Sequence, residues 1–267
     1  MNRPPNRCIF CERPGNMSEQ HVFPDRLKHV LPRVHGTRQF GTYDHTRRRG
    51  KTVNEVRTVK ENQGSIGTSR VRRVCKSCNA GWLNTMEQSC FPVVEKLIRG
   101  DKLSLLADDQ KKLARIATSI SIASEWISKH YISTTQQERS HFYQTQEPPP
   151  GWYVFVGRNA SDLVTPFCLA DGVRPVEKGI DGPKEMVTYT LAMGPVLLHV
   201  LALAPDDFLD VDMYASRLGL AAICPTTEWI AFAAMPQLDT VGVAGVRSYA
   251  RESFRKMTEP LSGRDCT

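Results

Sequence analysis

No stretch of this 267-residue chain is long and apolar enough to form a membrane-spanning helix. The longest apolar run, Leu191 to Ala204, is interrupted by Gly194, Pro195 and His199, and it falls well short of the roughly 20 residues that a span requires. The opening residues Met1 to Pro5 carry no apolar signal region, so a reducing, cytoplasmic setting without membrane contact is expected. Internal repeats, heptad arrays and low-complexity tracts are also missing, which sets aside solenoids and coiled coils. With 40% hydrophobic and 24% charged residues the chain reads as globular.

Acidic residues are scarce at one end. Residues 1–78 hold 6 Asp and Glu against 17 Lys and Arg, a net of +11, so the remaining residues contribute −4 to the overall +7. A field of one sign on one segment favours a polyanionic partner, of which nucleic acid is the commonest, with DNA placed ahead of RNA.

Cysteine, by contrast, is present in a pattern. Of the eight cysteines, Cys8/Cys11 and Cys75/Cys78 form two C-x-x-C pairs inside the basic segment. Such a pair places two thiolates on one tight turn, and two pairs supply the four tetrahedral sulfur ligands of a structural Zn2+. Cys90, Cys168, Cys224 and Cys266 have no ligand spacing and read as buried or free thiols.

The expected fold class is α+β: a small zinc-stapled module (1–100), a helical connector (101–150) and a mainly antiparallel β C-terminal domain (151–267). After the first knuckle, Met17 to Val22 reads as a short strand closed by Pro24, and Asp25 to Val34 as a brief basic helix. Residues 36–69 form a long excursion suggestive of a hairpin, and Ser69 to Val74 a strand leading into the second knuckle. Trp82, Leu83 and Met86 are spaced for a helix that begins at Cys75/Cys78 and buries them. A longer helix carries the stripe Leu113, Ile116, Ala117, Ile120, Ala123, Ser124 and Ile127, capped by Asp108 or Asp109. Thr135 with Glu138 makes a capping box for a third helix, which ends before Pro148. Strands are expected at Trp152 to Val156, Val187 to Met193, Val196 to Ala204 and Trp229 to Ala234, while Asp206, Asp207, Asp210 and Asp212 read as an exposed acidic loop.

Hydrolysis of a phosphodiester by a metal-dependent nuclease needs a base for water, a divalent cation and ligands to hold it. His21, at the end of a strand beside a basic surface, is the best base, because imidazole takes a proton near neutrality. Asn79, directly after the second cysteine pair, is the best cation ligand on the helix, and it also competes for the role of helix N-cap. Arg47, Arg48, Arg49 and Lys51 in the excursion, with Arg70, Arg72 and Arg73 on the strand, are candidate phosphate contacts.

The set Cys8-x-x-Cys11, Gln20-His21-Val22-Phe23-Pro24 and Cys75-x-x-Cys78-Asn79 resembles the HNH, or ββα-metal, endonucleases of the zinc-containing type found in phage recombination endonuclease VII. The resemblance covers about the first 90 residues. It implies His21 as general base, Asn79 as a ligand of Mg2+ or another divalent cation, and the four cysteines as the zinc site. One position departs from the pattern: the acidic ligand that usually precedes the histidine is Gln20 here, with Glu19 one residue earlier. A neutral amide is a poorer Mg2+ ligand than a carboxylate, and neighbouring strand residues face opposite sides, so Glu19 replaces it only through a bulge or local rearrangement, with Asp25 the other acidic residue able to compensate. Two functions follow: an endonuclease, or a catalytically weak or inactive zinc-stabilised DNA- or RNA-binding protein. Residues 151–267 show no catalytic cluster and read as a domain for specificity, a protein partner or homo-oligomerisation.

Overall fold

The computed structural model describes residues 7–31, 37–48, 51–63, 68–127, 133–163, 166–175, 186–203 and 210–258. The chain is mixed α+β. Its first strand, β1 (Met17–His21), is followed by a 3-10 turn at Asp25–His29, shorter than the helix expected over 25–34. The excursion is a hairpin of β2 (Thr37–Arg48) and β3 (Lys51–Gln63). Next, β4 (Arg70–Cys75) pairs antiparallel with β1 and runs into α1 (Lys76–Cys78), an i→i+5 turn at Asn79–Leu83 and α2 (Asn84–Arg99). Two antiparallel strands followed by a helix therefore frame the region that holds the cysteine pairs. Gly100, left-handed at φ 78°, ends α2.

β5 (Leu105–Leu106) leads into α3 (Ala107–Ser124). Asp108 and Asp109 stand in its first turn and not at its N-cap, which is Leu106; Asp109 accepts the Leu106 N–H at 3.1 Å. The expected stripe is buried from Leu113 to Ser124, with Ile127 packed at its margin. α4 (Gln136–Thr145) has the expected Thr135/Glu138 capping box.

The C-terminal strands are β6 (Trp152–Asn159), β7 (Phe167–Pro175), β8 (Met186–Met193) and β9 (Val196–Leu203). After α5 (Val211–Leu218) come β10 (Ala221–Cys224), β11 (Trp229–Ile230), β12 (Gln237–Leu238) and α6 (Thr240–Thr258). Residues 229–234 do not form one strand: β11 pairs for two residues with β5, and a 3-10 turn occupies Phe232–Ala234. The main sheet runs β10-β6-β9-β8-β7-β2-β3, with β12 beside β6. Its pairs are antiparallel except β2–β7 and β12–β6.

Strands β8 and β9 are buried along almost their whole length because both faces are covered. On one face Val154, Tyr189, Leu191, Leu198 and Val200 join a core that continues through α3 and α2 to Phe10 and Val74. On the other, Phe155, Leu197 and Leu201 meet Tyr214 and Leu218 of α5 and Val243 and Val246 of α6. A polar seam crosses this second layer. Arg247 of α6 grips the buried Asp171 through two hydrogen bonds of 2.9 and 3.0 Å, and His199 lies between Thr190 and Tyr214. Burial pushes His199 down to about 3, so it is neutral and serves as a packing and hydrogen-bonding group. No helix among the described residues is long and apolar enough to cross a membrane.

Candidate functional site

The four cysteines of the two pairs converge, with ligand atoms all within 4.8 Å of one another. The Cys11 and Cys75 sulfurs are 3.7 Å apart, close to the roughly 3.8 Å edge of a tetrahedron with Zn–S bonds of about 2.3 Å. The donor set thus fits a metal ion such as zinc. The first knuckle closes through Cys8 N–H donating to the Arg13 carbonyl and Glu12 N–H to the Cys8 carbonyl. Cys75 is the extended residue at which α1 begins, and Cys78 lies in that first turn. Four crowded thiols cannot all ionise without a cation. Burial and the sulfur of Cys11 push Cys78 up, whereas Cys75, despite burial, is brought to about 6 by the Ser77 hydroxyl and the Cys78 groups that stabilise its thiolate. No disulfide joins the described cysteines; Cys266 lies outside the described residues.

Beside this cluster an open cleft of about 520 Å³ is lined by Ser18, Gln20, His21, Asp25, Lys76, Asn79, Ala80, Asn84 and Glu87. Three residues singled out in the sequence, Gln20, His21 and Asn79, therefore meet in one place. Glu19 does not join them: it is exposed and takes Arg70 in an ion pair at 3.0 Å. The ribbon does contain an irregularity, since between Ser18↔Val74 and Gln20↔Val71 strand β4 advances one residue more than β1. The extra residue is on β4, and Glu19 stays outside.

Asn79 is not an N-cap; its backbone is helical and its amide nitrogen donates to Ser18 Oγ at 2.9 Å. The Ser18 hydroxyl spends its own proton on the Val74 carbonyl, so the Asn79 group facing it must be the NH2. Asn79 Oδ1 is left with no donor among the described residues. The same logic orients Gln20, whose Nε2 meets two acceptors, the His21 carbonyl at 2.9 Å and Glu87 Oε1 at 3.0 Å. Its Oε1 is thereby the free end.

His21 Nε2 accepts from Arg70 Nε at 3.0 Å and lies 3.3 Å from Asp25 Oδ1. A guanidinium can only donate, so the Arg70 contact favours the neutral ring with its proton on Nδ1, whereas the Asp25 carboxylate beside the same nitrogen favours a proton there. Burial lowers the His21 pKa, Asp25 opposes that, and Arg70 and Lys28 reinforce it. Arg70 thus occupies the lone pair that a base would use.

Glu87 is the residue that sequence reading missed. On a straight helix eight positions leave Asn79 and Glu87 roughly 80° apart around the axis. The helix is not straight here: the i→i+5 turn at Asn79–Leu83 is kinked at Gly81, whose φ −92° and ψ −115° are non-helical, and Asn79 and Glu87 both line the cleft. Burial raises Glu87 to about 7, against the Gln20 hydrogen bond and Arg26, which lower it.

The basic residues divide. Arg70 and Arg72 are exposed on β4, whereas Arg73 lies over the Trp126 ring at 4.9 Å and is committed to packing. Arg47 and Arg48 end β2 and Lys51 opens β3, while Arg49 lies outside the described residues, as do Asp206 and Asp207. Asp210 N-caps α5 through the Met213 N–H and Asp212 follows in its first turn, so these two belong to a helix start and not to a loop. Trp82 packs edge-on to Phe10 and Phe142, and Leu83 and Met86 are buried, as core residues should be. No protein-family model, curated protein or solved structure matches this chain.

Proposed function

We propose that the protein is a metal-dependent endonuclease that hydrolyses phosphodiester bonds with His21 as general base. The observation that carries this reading is the convergence of Gln20, His21 and Asn79 on one cleft beside the four-cysteine cluster. A neutral imidazole is the protonation state a base needs, and the environment of His21 favours it. Arg70 is the phosphate anchor: an incoming phosphate competes with Glu19 and the imidazole for its guanidinium. Once Arg70 shifts to the phosphate, the Nε2 lone pair is released. Water then attacks phosphorus, its proton passes to His21, the P–O ester bond breaks, and the departing alkoxide is protonated from solvent. A divalent cation such as Mg2+, held with the help of Asn79, supplies neutralisation of phosphate and leaving-group charge when bound. Arg72, Arg47, Arg48 and Lys51, together with Arg49 of the same basic run in sequence, hold the strand, with DNA the favoured polymer.

The test is plasmid nicking across Mg2+, Mn2+ and Ni2+. Cleavage is expected to require a divalent ion and to vanish in His21→Ala with zinc content unchanged. A variant that cuts as fast as the parent removes His21 from the mechanism.

A second reading, a zinc-stabilised nucleic-acid-binding protein without cleavage, is favoured by neutral Gln20 and by the engagement of His21 with Arg70. It expects salt-sensitive binding and no nicking in any divalent ion. Cleavage gained in Gln20→Glu would then locate the deficit at that position.

A further inference from the structure

We propose that Glu87 is the carboxylate that anchors a hard divalent cation in this cleft, completing with the amide oxygens of Gln20 and Asn79 an oxygen-ligand set. The proposal rests on the nuclease reading for its purpose, but its chemistry stands on the cleft alone. Mg2+ and Mn2+ take oxygen ligands, one or two of them carboxylates, and keep waters in the remaining positions. With an amide at position 20 and Glu19 turned away to Arg70, strand β1 brings no carboxylate to the place where the resemblance would put one. The helix brings it instead, from the opposite wall of the same cleft.

Three observations point the same way. Gln20 donates to Glu87 Oε1 at 3.0 Å, which ties the amide and the carboxyl together and leaves Glu87 Oε2 without a donor among the described residues. The orientations of Gln20 and Asn79, fixed by their acceptors, each leave a carbonyl-type oxygen unclaimed in the cleft that Glu87 also lines. And Glu87 forms no ion pair with Lys or Arg among the described residues, although it is half-buried and its charge is disfavoured there. A carboxylate placed there only for packing is an expensive choice, because one amide hydrogen bond does not offset the removal of a charge from water. A cation bound to it supplies the missing compensation.

The experiment uses the full chain with its structural zinc retained and Mn2+ as probe. Free Mn2+ is measured by electron paramagnetic resonance during titration of the parent, Glu87→Gln, Glu87→Asp and His21→Ala. The expected result is a loss of at least tenfold in Mn2+ affinity in Glu87→Gln, partial recovery in Glu87→Asp and parent-like affinity in His21→Ala, with zinc content equal in all four. Mn2+ should also broaden the Gln20 and Asn79 side-chain amide resonances of the parent, a readout that needs no variant to fold. Parent-like Mn2+ affinity in Glu87→Gln, or no broadening of those amides, overturns the proposal. The two readings fail separately: Mn2+ bound through Glu87 without cleavage of any nucleic acid sinks the nuclease and keeps the cation site. His21-dependent nicking with Mn2+ affinity indifferent to Glu87 does the reverse.

Discussion

Glu87→Gln is expected to stabilise the protein above neutrality when zinc is present and no other divalent ion is added. Burial lifts the carboxyl from its ordinary 4.5 to about 7, about 2.5 pH units, and at about 1.4 kcal/mol per unit the ceiling on the cost of its charge is about 3 kcal/mol. Between pH 4.5 and 7 the folded chain keeps a proton that the unfolded chain has released. Stability therefore falls as pH rises through that window, and levels off on either side. Glutamine still accepts the Gln20 hydrogen bond and has nothing to ionise, so the decline should vanish in the variant. At pH 8 the variant should exceed the parent by up to about 3 kcal/mol, roughly 6–12 °C in Tm for a chain of this size, and near pH 4.5 the two should coincide. Urea unfolding of parent and variant at pH 4.5, 6 and 8 reads this directly. Equal stability at pH 8, or a gap that is the same at all three values, refutes the account of Glu87 as a half-buried acid whose charge its surroundings do not fully offset.

Cys78→Ser should abolish stoichiometric zinc and unfold the cysteine module, since structural zinc contributes about 10–16 kcal/mol in small zinc domains; metal analysis beside circular dichroism checks both. Gly194, in the turn between β8 and β9, sits at φ +61°, and a Cβ there would come within 2.9 Å of Leu31 Cδ2. Gly194→Ala is therefore expected to cost about 1–3 kcal/mol in urea unfolding. In NMR titrations His21 should ionise below the ordinary 6.5, lower still in Asp25→Asn, which removes an attractive charge, and higher in Arg70→Ala, which removes a repulsive one. A His21 that titrates at 6.5 and ignores both substitutions would contradict the described ring contacts.

What the sequence made legible is what short-range chemistry fixes. Two C-x-x-C pairs imply convergent sulfurs whatever lies between them, and the sulfurs do converge. The apolar stripe of α3 and the Thr135/Glu138 box of α4 are local patterns with one geometric solution each. Elements with weak local signals were not read. α5 has its signals, an Asp210 cap and Gly219 just past its end, but too short a stripe to stand out from the surrounding strands. In α6, Gly242 and Gly245 interrupt a helix whose apolar contacts rest on Val243 and Val246. The parallel pairing of β2 with β7 joins segments more than a hundred residues apart, and no local pattern encodes it. Glu87 escaped for a different reason: regular helical periodicity turns it away from Asn79, and apolar spacing alone does not locate the kink at Gly81 within the i→i+5 turn that separates them.

The sulfur cluster and the cleft are mechanically one object. Met17 pairs with Cys75, Lys76 N–H donates to the Asn16 carbonyl at 3.0 Å, and Asn79 donates to Ser18, so residues 16–18 and 75–79 serve both at once. A slip of one residue between β1 and β4 would exchange the faces of Gln20 and His21 and part Gln20 from Glu87. Register here is therefore worth more than the few hydrogen bonds of a short ribbon can guarantee. Thiolates from both sides of the ribbon held on a common ion at one end of the pairing would fix it, because Cys8 and Cys11 lie before β1 and Cys75, which pairs with Met17, ends β4. On this reasoning the cysteines act on the cleft by setting register, without contributing an atom to its lining, and Cys11→Ser should shift the side-chain amide resonances of Gln20 and Asn79 even where the main sheet keeps its spectrum. Unchanged amide signals in a zinc-free, still folded variant would show that the ribbon holds its register unaided.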